Sequence, residues 1–188
     1  MRPTVFLDRD GVLNKDHEYV YKPDAIVIPP FAAAGCQKLQ QAGFQLVVIT
    51  NQSGVARGLF TEADVDVFNL ALAQLYLDNY QVRFCGFYVC PHHPQGAVAA
   101  YAQDCGCRKP KIGLLERAAR EHPVDWQRSF LIGDKSSDVT CGINAGIAAI
   151  QITTGQYDRA PDATFHAGDL VAAADFISQR LSSSATRS

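Results

Sequence analysis

The chain has 188 residues, 47% of them hydrophobic and 19% charged, with 17 Lys and Arg against 19 Asp and Glu for a formal net charge of −2. A single domain is the default at that length, and it buries about 70% of its unfolded surface without help from disulfides or metal. The composition argues against disorder, and the slightly acidic balance against a protein that holds nucleic acid or anionic lipid through bulk charge.

The first strand-like run, Thr4–Leu7, follows the N-terminus with no apolar export segment before it. No run, Phe44 to Ile49 included, approaches the roughly 18 residues of a membrane span. A cytoplasmic protein free of the membrane is therefore expected. The strand ends in Asp8-Arg9-Asp10-Gly11, which sets two carboxylates two residues apart at its C-terminal end. One can attack phosphorus while the other handles protons. A polar excursion, Lys15–Pro30, comes next and contains Asp16-His17-Glu18-Tyr19. A helix is expected over Ala32–Ala42 and a second strand over Phe44–Ile49, with Thr50 and Asn51 at the strand end and Gln52 and Ser53 leading into a glycine-bearing loop. Hydroxyl, amide and free backbone N–H groups together suit phosphate oxygens.

Thr61 with Asp64 opens a helix over Glu62–Asn79, and Gly86–Val89 forms the third strand. The stretch Cys90–Pro110 has neither helical nor strand period, and structureless loops of that length are usually functional. Its pattern is C-x-H-x12-C-x-C, through Cys90, His92, Cys105 and Cys107. Three thiolates and an imidazole make a closed tetrahedral set, the usual form of structural zinc, and clustered cysteines in a reducing compartment more often hold metal than pair. Arg108 and Lys109 follow the last cysteine directly. The remaining elements are a helix at Gly113–Glu121, a strand at Ser129–Ile132 running into Gly133-Asp134-Lys135-Ser136-Ser137-Asp138, a helix at Ser136–Ala145, a strand at Ala148–Ile152 and a helix at Asp169–Leu181. Cys36, Cys85 and Cys141 read as core thiols and Trp126 as packing.

Strands alternating with helices mean an α/β protein with a doubly wound, mainly parallel sheet covered on both faces. The strand order is not legible in this pattern. One domain is expected over 1–181, with 182–188 a disordered tail. The four polar clusters each have an ordinary explanation as turns or solvated side chains, but all four fall just after predicted strands, where open α/β sheets place their ligands.

In that order, Asp8-x-Asp10, Thr50, Lys109 and Gly133-Asp134-x-x-x-Asp138, the sequence resembles the haloacid dehalogenase superfamily of Mg²⁺-dependent phosphatases, with its Rossmann-like fold. The resemblance implies an aspartyl-phosphate on Asp8, Asp10 as acid and then base, and Thr50 and Lys109 as phosphate holders. It also implies Mg²⁺ on Asp8, the Asp10 carbonyl and Asp134, with Asp138 in support. The intervals before Phe44 and Arg108 are too short for a large cap domain, so loops alone should roof the site. DRDGVLN, TNQSGVARG and the cysteine loop ending in C-x-C-R-K-P are similar to the heptose-bisphosphate phosphatase family, which takes His92 rather than His93 as zinc ligand. By this likeness Asp16, His17, Glu18, Tyr19, Asn51, Gln52, Ser53 and Arg108 contact a small sugar phosphate. Histidinol-phosphate phosphatases are similar in the same motifs, and a non-catalytic phosphometabolite-binding protein is the reading from another class. A monomer is expected, because each amphipathic helix has a sheet to face.

Overall fold

The computed structural model describes residues 1–185, with side chains to 182. Six strands, β1 (Thr4–Leu7), β2 (Gln45–Asn51), β3 (Gly86–Cys90), β4 (Phe130–Gly133), β5 (Ala148–Ile152) and β6 (Phe165–Ala167), pair in parallel in the order β3-β2-β1-β4-β5-β6. The helices are α1 (Ala32–Gln41), α2 (Glu62–Tyr80), α3 (Gly113–Glu121), α4 (Ser136–Asn144) and α5 (Leu170–Ala185).

Alternation along the strands sorts the helices onto two faces. Val5 and Leu7, Leu46 and Val48, and Phe130 and Ile132 point to one core, with Cys36 and Leu39 of α1, Phe68 and Leu72 of α2, and Ala173 and Ile177 of α5. Phe6, Val47, Ile49 and Leu131 point to the other, against Leu114, Leu115 and Ala118 of α3 and Cys141 of α4. Burial on both sides is what continuous apolar strands require, and each fully buried Phe or Leu contributes about 1.5–3 kcal/mol. Trp126 stacks on Phe6 with ring centroids 6.0 Å apart, as packing.

The strand order reverses between β1 and β4, which are neighbours through Leu7↔Ile132. That switch point leaves a crevice beyond the carboxyl ends of the two strands, and Asp8 and Asp134 are the residues that follow each of them. The capping box forms as expected: the Thr61 hydroxyl accepts from the Asp64 amide at 3.2 Å and the Asp64 carboxylate from the Thr61 amide at 2.8 Å.

Several expectations are corrected. β6 has only three residues, too few for a two-residue period to declare itself, and gains strand character by pairing Phe165 with Ile150. β2 begins at Gln45 rather than Phe44 and runs to Asn51, with Thr50 and Asn51 at the strand end as expected. Asp169 precedes α5, its carboxylate accepting from the Ala172 amide at 2.8 Å as a cap does. The helix then continues to Ala185, into the serine-rich tail expected to be disordered, while 186–188 lie outside the described residues. Cys85 is exposed, unlike the buried Cys36 and Cys141. Val67 and Leu70 of α2 also stay in solvent, at 55% and 71% exposure, although no apolar stripe was expected to be left over once each amphipathic helix faced the sheet.

Candidate active site and cysteine cluster

Asp8 is 5% exposed. Its Oδ1 accepts from the Lys109 ammonium at 2.8 Å and from the Arg9 amide at 2.8 Å. Lys109, 3% exposed, also lies 2.6 Å from Asp138 Oδ1 and donates to the Ile49 carbonyl at 3.0 Å. The lysine is delivered by a two-way clasp in which the Asn51 amide donates to the Lys109 carbonyl at 3.1 Å and accepts from the Lys109 N–H at 3.0 Å. Burial works against the ammonium, but Asp138 and Asp8 outweigh it and raise its pKa.

Carboxylate oxygens of Asp8, Asp134 and Asp138 lie within 4.8 Å of one another, all three residues buried. Burial first, then the charge of Asp8, pushes Asp134 up to about 8. Burial also raises Asp8, with Lys109 pulling the other way and Asp138 adding to the rise. Neither oxygen of Asp134 has a hydrogen-bond partner among the described residues. An orphaned buried carboxylate costs more than any ordinary side chain at this position would. Hard oxygens, clustered negative charge and unused lone pairs fit a divalent cation such as Mg²⁺. Gly11 is obligatory beside it: at φ +94° a side chain is strained, and a Cβ there would collide with the Asp134 carboxylate.

Asp10 lies over this floor. Its carboxylate accepts from Gln52 at 2.8 Å, from Asn14 at 3.2 Å and from the Arg9 guanidinium. The Gln52 amide donates as well to Thr50 Oγ1 at 2.9 Å, which turns the threonine's own proton away from Gln52. Above them opens a cleft of about 260 Å³ lined by Asp10, Asp16, Glu18, Tyr19, Asn51, Gln52, Ser53 and Gly54, and by Lys135 and Tyr157. It shares Asp10, Asn51 and Lys135 with a recess of about 30 Å³ bounded by Asp8, Thr50, Lys109, Ser137 and Asp138.

Most of the expected substrate residues thus converge. His17 and Arg108 do not line the cleft. His17 is exposed, and Arg108, half-buried, donates from Nη1 to the His92 carbonyl at 3.2 Å. Besides Gly54, two residues without an assigned role do line it. Lys135 donates to Asp16 Oδ2 at 2.8 Å and stands 4.9 Å from the centre of the Tyr157 ring, whose hydroxyl donates to the same oxygen at 2.9 Å. Burial opposes the Asp16 charge, but these bonds and the Lys135 charge hold its pKa below the usual range. Lys135 was legible as part of Gly133–Asp138, whereas nothing local marks Tyr157, which meets Asp16 across 141 positions.

The cysteine loop closes on itself. Sγ of Cys90 and Cys105 are 3.5 Å apart, Cys105 and Cys107 3.3 Å, and His92 Nδ1 stands 3.5 Å from Cys107 and 3.8 Å from Cys90. These separations are far too long for disulfides and near the roughly 3.8 Å that a tetrahedron with ~2.3 Å Zn–S bonds requires. Hydrogen bonding from Cys90 draws the Cys107 thiol down to about 5, against burial and with His92 and Cys105 assisting. His93 is elsewhere, its Nδ1 accepting from the Gln95 amide at 3.1 Å.

The HAD-hydrolase-like family matches residues 106–177, the stretch that carries Lys109, Asp134 and Asp138. The D-glycero-beta-D-manno-heptose-1,7-bisphosphate 7-phosphatase of Yersinia pestis is 40% identical over 158 residues, 82% of either chain. The chain belongs to the heptose-bisphosphate phosphatase family of HAD-like hydrolases. Another member, from Pasteurella multocida, is 42% identical over 160 residues, 83% of this chain and 84% of its own. Among solved structures, the D,D-heptose 1.7-bisphosphate phosphatase from B. bronchiseptica, complexed with magnesium and phosphate, superposes with a TM-score of 0.80 at 30% identity. The superposition covers 95% of this chain and 99% of that one. Neither member of the family therefore carries a cap-sized domain that the other lacks, and loops alone roof the cleft.

Proposed function

We propose that the chain is a Mg²⁺-dependent phosphatase that removes the 7-phosphate of D-glycero-β-D-manno-heptose 1,7-bisphosphate, the anomer being that named for its relatives. The observation that carries this reading is the buried Asp8, paired with Lys109 and facing an Asp134 whose carboxylate has no hydrogen-bond partner among the described residues. Asp8 attacks phosphorus through Oδ2, because Lys109 and the Arg9 amide hold Oδ1. The new Asp8–phosphorus bond forms as the bond to the sugar oxygen breaks, and Asp10 gives its proton to that oxygen. Water then attacks the aspartyl phosphate, Asp10 takes its proton, and inorganic phosphate leaves with Asp8 regenerated. Mg²⁺, held by Asp8 and Asp134 with Asp138 in support, would neutralise charge between nucleophile and phosphoryl group. Lys109 and Thr50 supply the remaining stabilisation, Thr50 with a hydroxyl oriented by Gln52.

Cys90, His92, Cys105 and Cys107 would hold zinc with four protein ligands, and its role in this reading would be structural. We assign the enzyme to the cytoplasm as a monomer; among the described residues no helix is long and apolar enough to cross a membrane. Phosphate release decides the substrate. With Mg²⁺, kcat/KM for the heptose bisphosphate should exceed that for histidinol phosphate by about a hundredfold, roughly 2.7 kcal/mol of transition-state binding. A preference for histidinol phosphate overturns the assignment.

A further inference from the structure

We infer that Arg9 is a positioning residue that fixes the carboxylate of Asp10 for proton transfer, an inference that rests on the phosphatase reading and adds a residue to it. Alternation places Arg9 on the face of the sheet that carries Val5 and Leu7, toward α2. Its side chain is wholly buried there, the guanidinium carbon 4.3 Å from the centre of the Phe68 ring. From that pocket it turns back on Asp10. Nε lies 3.1 Å from each carboxylate oxygen, and Nη2 donates to Oδ2 at 2.8 Å.

The guanidinium is itself immobilised. Nη1 donates to Asn69 Oδ1 at 3.0 Å, and Nη2 also to the Val20 carbonyl at 3.1 Å. Asn69 belongs to α2 and Val20 to the loop after β1, so two separate elements fix the plane of the fork, and the fork fixes the plane of the Asp10 carboxylate. Gln52 and Asn14 complete the surround. A buried cation is poor value as a source of stability, since an apolar side chain of similar volume is often as good or better. Its hydrogen bonds are spent instead on orienting an acid that has one side chain face on the cleft, and misplacing a catalytic group by 1 Å can cost about a hundredfold.

The test compares leaving groups. A p-nitrophenolate departs without a proton, whereas the alkoxide of a sugar phosphate needs the one on Asp10. The inference expects Arg9→Lys, which keeps charge but loses the planar fork, to lower kcat/KM on the sugar phosphate by about a hundredfold. On p-nitrophenyl phosphate the loss should be at least about tenfold smaller. Asn69→Leu, which loosens Arg9 without touching Asp10, should give the same pattern in weaker form, and it decides alone if Arg9→Lys does not fold. Equal losses on both substrates, or no loss on either, overturn the inference in favour of a structural ion pair. Asp10→Asn, measured alongside, separates the two layers. If it shows the leaving-group dependence and the Arg9 and Asn69 variants do not, only the inference falls; if Asp10→Asn lacks it, the acid role of Asp10 falls and the inference with it.

Discussion

Asp8 has few alternatives as nucleophile, because the other buried carboxylates are differently engaged: Asp138 pairs with Lys109 and its amide-facing oxygen accepts from Lys135 N at 3.0 Å, while Asp134 has the elevated pKa of a group waiting for a cation. Asp8→Asn should lower turnover by at least about 1,000-fold, roughly 4 kcal/mol, since an amide cannot attack phosphorus. Its melting temperature should match or exceed the wild type, because the change removes one of three crowded negative charges. Retained phosphate release by the purified variant would exclude the covalent route. Substrate charge is the second question at this scale. Lys135, in the cleft, is the cation placed to meet the part of a bisphosphate that is not cleaved, whereas Arg108 is turned to the His92 carbonyl. Lys135→Met should therefore raise KM for the heptose bisphosphate by about tenfold or more, and Arg108→Ala by less; steady-state kinetics that reverse this order would return Arg108 to the cleft. Asp8, Asp10 and Thr50 were legible as candidates because each stands at or just past the end of its strand, whereas Lys109 lies far beyond the end of β3 and was marked only by following the cysteine loop. Arg108 is turned away from the cleft, and adjacency to Lys109 does not fix which way a side chain turns.

Between residue and fold stands the loop from Cys90 to Pro110, where the sequence pattern marked the four side chains that cluster and was silent about mechanics. Its ends are tied to the catalytic floor at two points: Asn51 pairs with Cys90 across β2 and β3 and clasps the backbone of Lys109. Arg108 bridges the two halves of the cysteine cluster through His92. Metal on the cluster would hold both halves together and so hold the Lys109 ammonium on Asp8. We expect one zinc per chain on elemental analysis of protein purified without chelator. Stripping it should lower melting temperature and activity together, and Mg²⁺ alone should not restore either. Full activity in zinc-free protein would show that the Asn51 clasp suffices. β6 was missed for a reason of the same scale. Three residues beside β5 become a strand only through pairing, and the helix that follows, with its Asp169 cap, is much the stronger local signal.

At the scale of the whole molecule, two-sided burial of the sheet was legible from alternating elements, but the strand order was not, since it depends on contacts that no local pattern encodes. The order matters because it sets β1 beside β4 and so forces Asp8 and Asp134 into one buried crevice. The fold thus holds its site against a cost that is readable as pH dependence. Asp134 has its pKa raised from 3.8 to about 8, chiefly by burial and by Asp8. A carboxyl that binds its proton more tightly folded than unfolded favours the native state most when protonated, so stability falls as pH rises from the unfolded value through the folded one. Asp8 shifts in the same direction, whereas the raised pKa of Lys109 acts only above its ordinary 10.5. The crevice should therefore cost metal-free protein stability as pH rises from about 4 to about 8 and no more above that, against the opposite contribution of the depressed Cys107 thiol, which variants of the crevice leave unchanged. Asp134→Asn should flatten the slope without abolishing it, since Asp8 remains, and should melt higher than the wild type at pH 8 in chelator. Mg²⁺ should reverse that ranking by stabilising the wild type and leaving the variant unmoved. Thermal melts of both proteins, with and without Mg²⁺, check the account. If metal-free wild type gains stability across this range and Asp134→Asn runs parallel to it, the crevice is not a store of uncompensated charge and Asp134 is not what holds the cation.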